Sequence, residues 1–158
     1  MKNFSKAVVL VLAVFLGSEV YSQCVRPFEV GNWTNTDPNT RGITHIRVDF
    51  TCNDVVLCGI DSNGNINCQP PAPPFQVHLW GKCHPSDCDW GAVAGNYFYT
   101  SDGSTWIYSY YNHGFARRYV YVKRSSIYPD RLYLWMYTRF TDGSGRANYI
   151  FRGWFNRS

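Results

Sequence analysis

Arg131-Leu132-Tyr133-Leu134-Trp135-Met136-Tyr137-Thr138-Arg139-Phe140 is the stretch on which the fold turns. Its side chains alternate with period two. One set is Arg131, Tyr133, Trp135, Tyr137 and Arg139; the other is Leu132, Leu134, Met136, Thr138 and Phe140. A helix would scatter each set around its circumference, whereas a strand sends the two sets to opposite faces of a sheet. The stretch therefore reads as a strand with one aliphatic face and one face of aromatic rings and arginines. The segment before it repeats the pattern, with Arg117, Tyr119, Tyr121 and Lys123 set against Arg118, Val120 and Val122.

Working outward, further strands are predicted at Asn32 to Thr34, Ile43 to Phe50, Val55 to Ile60 and Asn65 to Cys68. Others follow at Phe75 to Gly81, Trp90 to Tyr99, Thr105 to Tyr111, Phe115 to Lys123 and Ala147 to Phe155. The separators are turn-forming. Asp61-Ser62-Asn63-Gly64 carries the Asn-Gly pair that suits a tight hairpin, because both residues tolerate positive φ. Ser101-Asp102-Gly103-Ser104, Asn112-His113-Gly114 and Asp142-Gly143-Ser144-Gly145 are of the same kind. Gln69-Pro70-Pro71-Ala72-Pro73-Pro74 suits only an extended connector. No window beyond the N-terminal segment shows a helical stripe. Strands at roughly ten-residue spacing predict a single all-β domain over residues 23–158. Its expected form is an antiparallel up-and-down barrel of about eight strands, with a β-sandwich as the alternative.

Lys2 and Lys6 precede the apolar run Ala7 to Leu16, as in a secretory signal peptide, here residues 1–22. The run is shorter than the roughly 20 apolar residues that span a bilayer, so a secreted chain without a transmembrane segment is expected. Six cysteines then read as three disulfides in an oxidising compartment. The Asn63-Gly64 hairpin sets Cys58 opposite Cys68. Cys83 and Cys88 bracket a short proline-containing loop. Cys24 and Cys52 remain for each other. A formal net charge of +4 without a Lys/Arg run argues against nucleic acid as a partner.

Gly31-Asn32-Trp33 in the first strand, with Arg152 and Arg157 flanking Trp154 in the last, resembles the calycin arrangement of lipocalins and avidins. That resemblance implies a closed barrel whose first-strand Trp packs on an Arg of the closing strand. The chain stops after its last strand, with no C-terminal helix, and so resembles the avidin-like form more. The pair Trp80-Gly81-Lys82-Cys83-His84-Pro85-Ser86-Asp87-Cys88-Asp89-Trp90-Gly91 and Thr138 to Arg146 is also similar to motifs in a group of secreted bacterial proteins. The latter resemblance implies no function and no site residues.

His84, Asp87 and Asp89 are weak candidate metal ligands, but a disulfide takes the neighbouring cysteines out of contention, and turn capping is the plainer role for the acids. No metal or cofactor is expected. None of His45, His78, His84 and His113 lies in a known catalytic motif. Asp87 and Asp89 are the one carboxylate pair that a hydrolase reading has to work with. The aromatic and cationic face is more informative. Tyr119, Tyr121, Arg131, Tyr133, Trp135, Tyr137 and Arg139 combine stacking surfaces with positive charge. The expected function is non-catalytic binding of a glycan, or of a small aromatic or amphiphilic ligand, on that face or in a cavity it lines. Self-association through the Tyr-rich face, as in an adhesive or structural extracellular protein, is the alternative, and a secreted hydrolase is the third reading. Both orientations of the face, toward solvent and toward the barrel axis, are open at this point.

Overall fold

A computed structural model describes residues 24–52 and 56–158. The expected signal peptide and Val55, at the start of the predicted third strand, lie outside the described residues. The strands are β1 (Gly31–Asn35), β2 (Ile43–Phe50), β3 (Leu57–Ile60), β4 (Ile66–Gln69) and β5 (Phe75–Gly81). They continue as β6 (Cys88–Tyr99), β7 (Thr105–Asn112), β8 (Ala116–Arg124), β9 (Leu132–Phe140) and β10 (Tyr149–Arg157). The described chain is all-β, and no helix in it is long and apolar enough to cross a membrane. Eight strands form a closed antiparallel barrel in the order β1-β10-β9-β8-β7-β6-β5-β2, and β3 and β4 form a separate hairpin between β2 and β5. Each barrel strand pairs with its successor, that hairpin apart.

Alternation decides what lies inside. Leu132, Leu134 and Met136 of β9 are fully buried, as are Val120 and Val122 of β8. Val48, Val77, Leu79 and Phe155 meet them from other strands in one continuous core. Eight strands enclose an interior just wide enough for side chains to fill, and here aliphatic residues share it with the fully buried rings of Trp33, Phe75, Tyr111 and Phe155. The face carrying Tyr133, Trp135 and Tyr137 points outward and is half-buried. Of the two orientations that the sequence allows, the barrel adopts the one with a solid core.

The closing seam is short. Strands β1 and β10 share the register Trp33↔Arg157, Thr34↔Asn156 and Asn35↔Phe155. Side chains reinforce it. Trp33 is fully buried and donates its indole N–H to the Glu29 carbonyl at 2.8 Å. The Arg157 guanidinium lies 4.2 Å from the centre of the Trp33 ring. It donates to the Val30 carbonyl at 2.9 Å and to the Phe28 carbonyl at 2.7 Å. Gly31 has φ +141°, and a Cβ there would sit 2.5 Å from an Arg157 nitrogen. The glycine of Gly31-Asn32-Trp33 is thus required both by its backbone and by the arginine above it.

All three disulfides form with the expected partners. Cα separations are 6.0 Å for Cys24–Cys52, 3.9 Å for Cys58–Cys68 and 5.5 Å for Cys83–Cys88. Cys58 and Cys68 face each other in the β3–β4 register. A two-stranded hairpin is marginal in water by itself, and its exposed Leu57, Ile60 and Ile66 add little burial, so the covalent bridge carries it.

Removal of the Trp33 ring leaves a large cavity at the seam and strands Arg157. Trp33→Ala is expected to cost roughly 3–5 kcal/mol. Thermal and urea unfolding of the variant measure this, and an unchanged melting temperature would contradict the seam's importance.

Candidate functional site

The outward positions of β6 to β10 assemble into one aromatic surface. Cross-strand register builds its rows. Trp135 of β9 sits opposite Tyr121 of β8 and Arg152 of β10. Tyr133 sits opposite Lys123 and Trp154. Phe98 of β6 sits opposite Trp106 of β7, and Tyr121 opposite Tyr108. These residues are neighbours only because the strands pair, and the spacing of antiparallel partners brings their rings into contact.

The rings meet mainly at tilted and edge-on angles. Tyr121 and Trp135 have centroids 5.5 Å apart at 66°. Phe98 and Tyr121 are 5.4 Å apart at 70°, and Tyr133 and Trp154 are 5.5 Å apart at 45°. Trp106 contacts Tyr133 at 6.0 Å. Such contacts suit the ring quadrupoles and fix the orientation of each ring. The Lys123 ammonium lies 4.3 Å from the centre of the Trp106 ring, within cation–π range.

A cavity of about 580 Å³ opens over this surface, with Trp106, Tyr133, Trp135 and Trp154 in its floor and walls. The loop residues Ser125, Ser126 and Ile127 form one rim. A second depression, about 500 Å³, lies beside it and shares Tyr121 and Trp135. Tyr119, Tyr137 and Arg139 line this second one. Of the seven residues expected at a binding face, six therefore line one depression or the other. Arg131 lines neither; its guanidinium stacks 4.5 Å from the centre of the Tyr128 ring. Lys123, which alternation sets on the same face as Tyr119 and Tyr121, belongs to the surface as well, and so do Trp106, Trp154, Phe98 and Arg152, which were not anticipated there. The same alternation test points to Trp106, since Ile107, Ser109 and Tyr111 face inward on β7.

The β5–β6 hairpin carries the weak metal candidates and the carboxylate pair, with His84 and Asp87 in its loop and Asp89 in β6. Asp87 lies 3.5 Å from His45 Nδ1 and 3.6 Å from Lys82 Nζ. Asp89 binds His78 Nε2 at 2.5 Å and accepts from the Gly91 N–H at 2.7 Å. His78 in turn stacks on Trp80 at 3.9 Å. Each acid thus has its own partners, and His84 is bonded to neither. Among the described residues no three His, Cys, Asp or Glu side chains approach closely enough to hold a metal ion. Nor, among those residues, does any hydroxyl bond to His45.

No family model matches the chain, and no curated protein and no solved structure matches it.

Hydrogen bonds depress several carboxyls in the loops. Asp89 is held below the ordinary carboxylate value first by His78 and then by the Gly91 N–H. Asp87 is lowered first by a bond from Thr44, and then by Lys82 and His45. Asp142 falls to about 2 through bonds from Ser144 and the Arg146 charge. A folded-state value below the unfolded one adds stability above the unfolded value, near 3.8, and loses it as pH falls toward the folded value. Melting temperature is therefore expected to decline between about pH 4 and pH 2. Asp142→Asn should flatten the low-pH end of that decline in calorimetric scans.

Proposed function

We propose that this chain is a secreted, non-catalytic binding protein that holds a glycan on the outer aromatic surface of a calycin-like barrel. The observation that carries the reading is a half-exposed aromatic groove laid over a solid core. Trp106, Trp135 and Trp154 are large apolar groups, yet none is absorbed into the interior, which aliphatic residues and the rings of Trp33, Phe75, Tyr111 and Phe155 occupy. Keeping three indoles at the surface forgoes burial worth a few kcal/mol each, so an occupant that covers them is the natural explanation. The groove crosses from Phe98 on β6 to Trp154 on β10. Four strand spacings make that roughly 19 Å measured around the curved wall of the barrel, a path that suits a chain of rings laid on aromatic faces better than one compact molecule. Its rings are held by one another, so little order has to be imposed on binding.

Export is supported by the N-terminal apolar run with its two lysines and by three disulfides. Calycin kinship is supported by the eight-stranded closure and by Arg157 over Trp33 beside Gly31. A second reading, self-association, draws on Tyr110, Tyr149 and Ile150 and on the exposed hairpin residues Leu57, Ile60 and Ile66. Sedimentation across a concentration series separates the two readings: a monomer at every concentration opposes assembly.

The binding reading is tested with a glycan array probed by the wild-type protein, Trp135→Ala and Trp106→Ala. A loss of about 1–3 kcal/mol per ring, the range for nucleic-acid bases stacked on aromatic side chains, predicts a fall in affinity of about 5- to 150-fold. Because no core cavity forms, the melting temperature should move little. A wild-type protein that binds nothing on the array, or variants that bind as well as wild type, would sink the proposal.

A further inference from the structure

The groove's polar groups point to the kind of glycan. Resting on the binding reading above, we propose that the groove takes an acidic glycan, with a carboxylate or sulfate held between Lys123 and Arg152 and the sugar rings against Trp106, Trp135 and Trp154.

Hydrogen-bonding character argues this. The residues lining the groove include no Asp, Glu, Asn or Gln. The indole N–H of Trp106, Trp135 and Trp154 can only donate, and so can the ammonium of Lys123 and the guanidinium of Arg152. Among the described residues, none of these five groups donates to a protein acceptor. The groove's hydroxyls are partly committed. Thr100 Oγ1 donates to the Ser104 carbonyl at 2.9 Å and also bonds Asp102, and Ser125 Oγ accepts from the Ile127 and Tyr128 N–H groups. The remaining hydroxyls, those of Ser126, Tyr121 and Tyr133, can accept as well as donate, but they are fewer than the five groups that only donate, and a neutral sugar presents hydroxyls that must donate as well as accept. A ligand rich in acceptors and short of donors is the better complement.

Charge argues the same way. Lys123 lies over Trp106 with no carboxylate in ion-pair contact. Asp102 in the β6–β7 turn is within electrostatic reach of Lys123, but its carboxylate is taken up by Thr100 and Ser104. Arg152 is exposed and, among the described residues, makes no hydrogen bond, ion pair or ring contact. Register places Arg152 beside Trp135 and Lys123 beside Tyr133, so the two cations flank the central pair of β9 rings. An anion between them is bound in charge-assisted fashion, next to aromatic surface that a sugar ring covers.

Matched probes test this. Oligogalacturonate is compared with its methyl ester, which keeps the backbone and removes the charge, and sulfated with unsulfated galactan oligosaccharide. Titration calorimetry uses the wild type, the double variant Lys123→Gln/Arg152→Gln, and Trp106→Ala. The expected result is at least about a tenfold preference for the charged member of one pair. That pair names the anion, carboxylate or sulfate. The preference should shrink as salt rises from about 0.05 to about 0.5 M and vanish in the double variant, whose residual binding matches that of the neutral probe. Trp106→Ala should weaken both members of the pair. Equal binding of charged and neutral members overturns the acidic-glycan inference and leaves glycan binding standing. Charged-probe binding that survives Trp106→Ala undiminished is adsorption to a basic surface, and it also overturns the inference. If neither pair binds and the array is empty, both readings fall.

Discussion

The barrel depends on one short seam. Every other pair of neighbouring barrel strands shares a longer register than β1 and β10, whose partners number three. A barrel left open there would expose two sheet edges and the hydrophobic contents between them. Arg157 prevents this with a geometry that lysine could not supply. Its planar guanidinium covers the Trp33 ring while two of its N–H groups reach the carbonyls of Val30 and Phe28, residues that lead into β1. The last strand is thereby tied to the segment before the first. Trp33 itself is tied back to Glu29, and the Glu29 carboxylate accepts from the Arg124 N–H at the end of β8. The entry segment, the first strand, the eighth and the tenth are thus joined by side chains where the ladder is thinnest.

A related arrangement plugs the opposite end. Arg118 of β8 points inward, is 6% exposed, and lies 4.2 Å from the centre of the Trp90 ring. It donates to His113 Nδ1 at 2.5 Å, which leaves the Nε2–H of that ring to face the Trp90 carbonyl at 3.3 Å. Trp90 also lies over Gly81, where a Cβ would come within 2.7 Å of the indole. Trp90 and Gly81, one residue from each Trp-Gly pair of the β5–β6 hairpin, therefore pack together at this end of the barrel. Between the guanidinium–indole pairs at the two ends, the axis is occupied by aliphatic side chains and by the buried rings of Phe75, Tyr111 and Phe155. Large aromatic residues that face the other way have only the outer surface to build on.

Strand identity and facing were legible because alternation is a local property. Residues 131–140 and 117–123 reveal two faces each without reference to any other strand, and the aliphatic set is inside as its chemistry dictates. The disulfides were legible for the same reason: Asn63-Gly64 sets the pairing of Cys58 with Cys68, and five residues separate Cys83 from Cys88. What alternation does not carry is register between strands distant in sequence. Trp154 meets Tyr133, and Trp106 meets Phe98, only through the ladders of β9–β10 and β6–β7. The groove's composition was accordingly read in its centre and missed at its margins. The predicted last strand, Ala147 to Phe155, starts and ends two residues early. The true strand runs to Arg157 because closure requires that residue, and closure is a property of the whole barrel.

The location of the cysteines completes the division of labour. All six precede residue 89, and the groove is built from the strands β6 to β10, where only Cys88, at the very start of β6, is bonded. Strands β8 and β9 share a register of nine residue pairs, and β9 and β10 share seven. Long ladders with an aliphatic face beneath and interlocked rings above need no covalent staple. The N-terminal part is different. It contains a free-standing hairpin, a polyproline connector and a loop with its own turn acids, none of which buries much apolar surface. There the unfolded chain has to be constrained instead, which is what a disulfide does. The consequence is a rigid outer surface on one side of the barrel, preorganised by packing. The covalently stapled segments lie elsewhere, and their geometry is free of the demands of the groove.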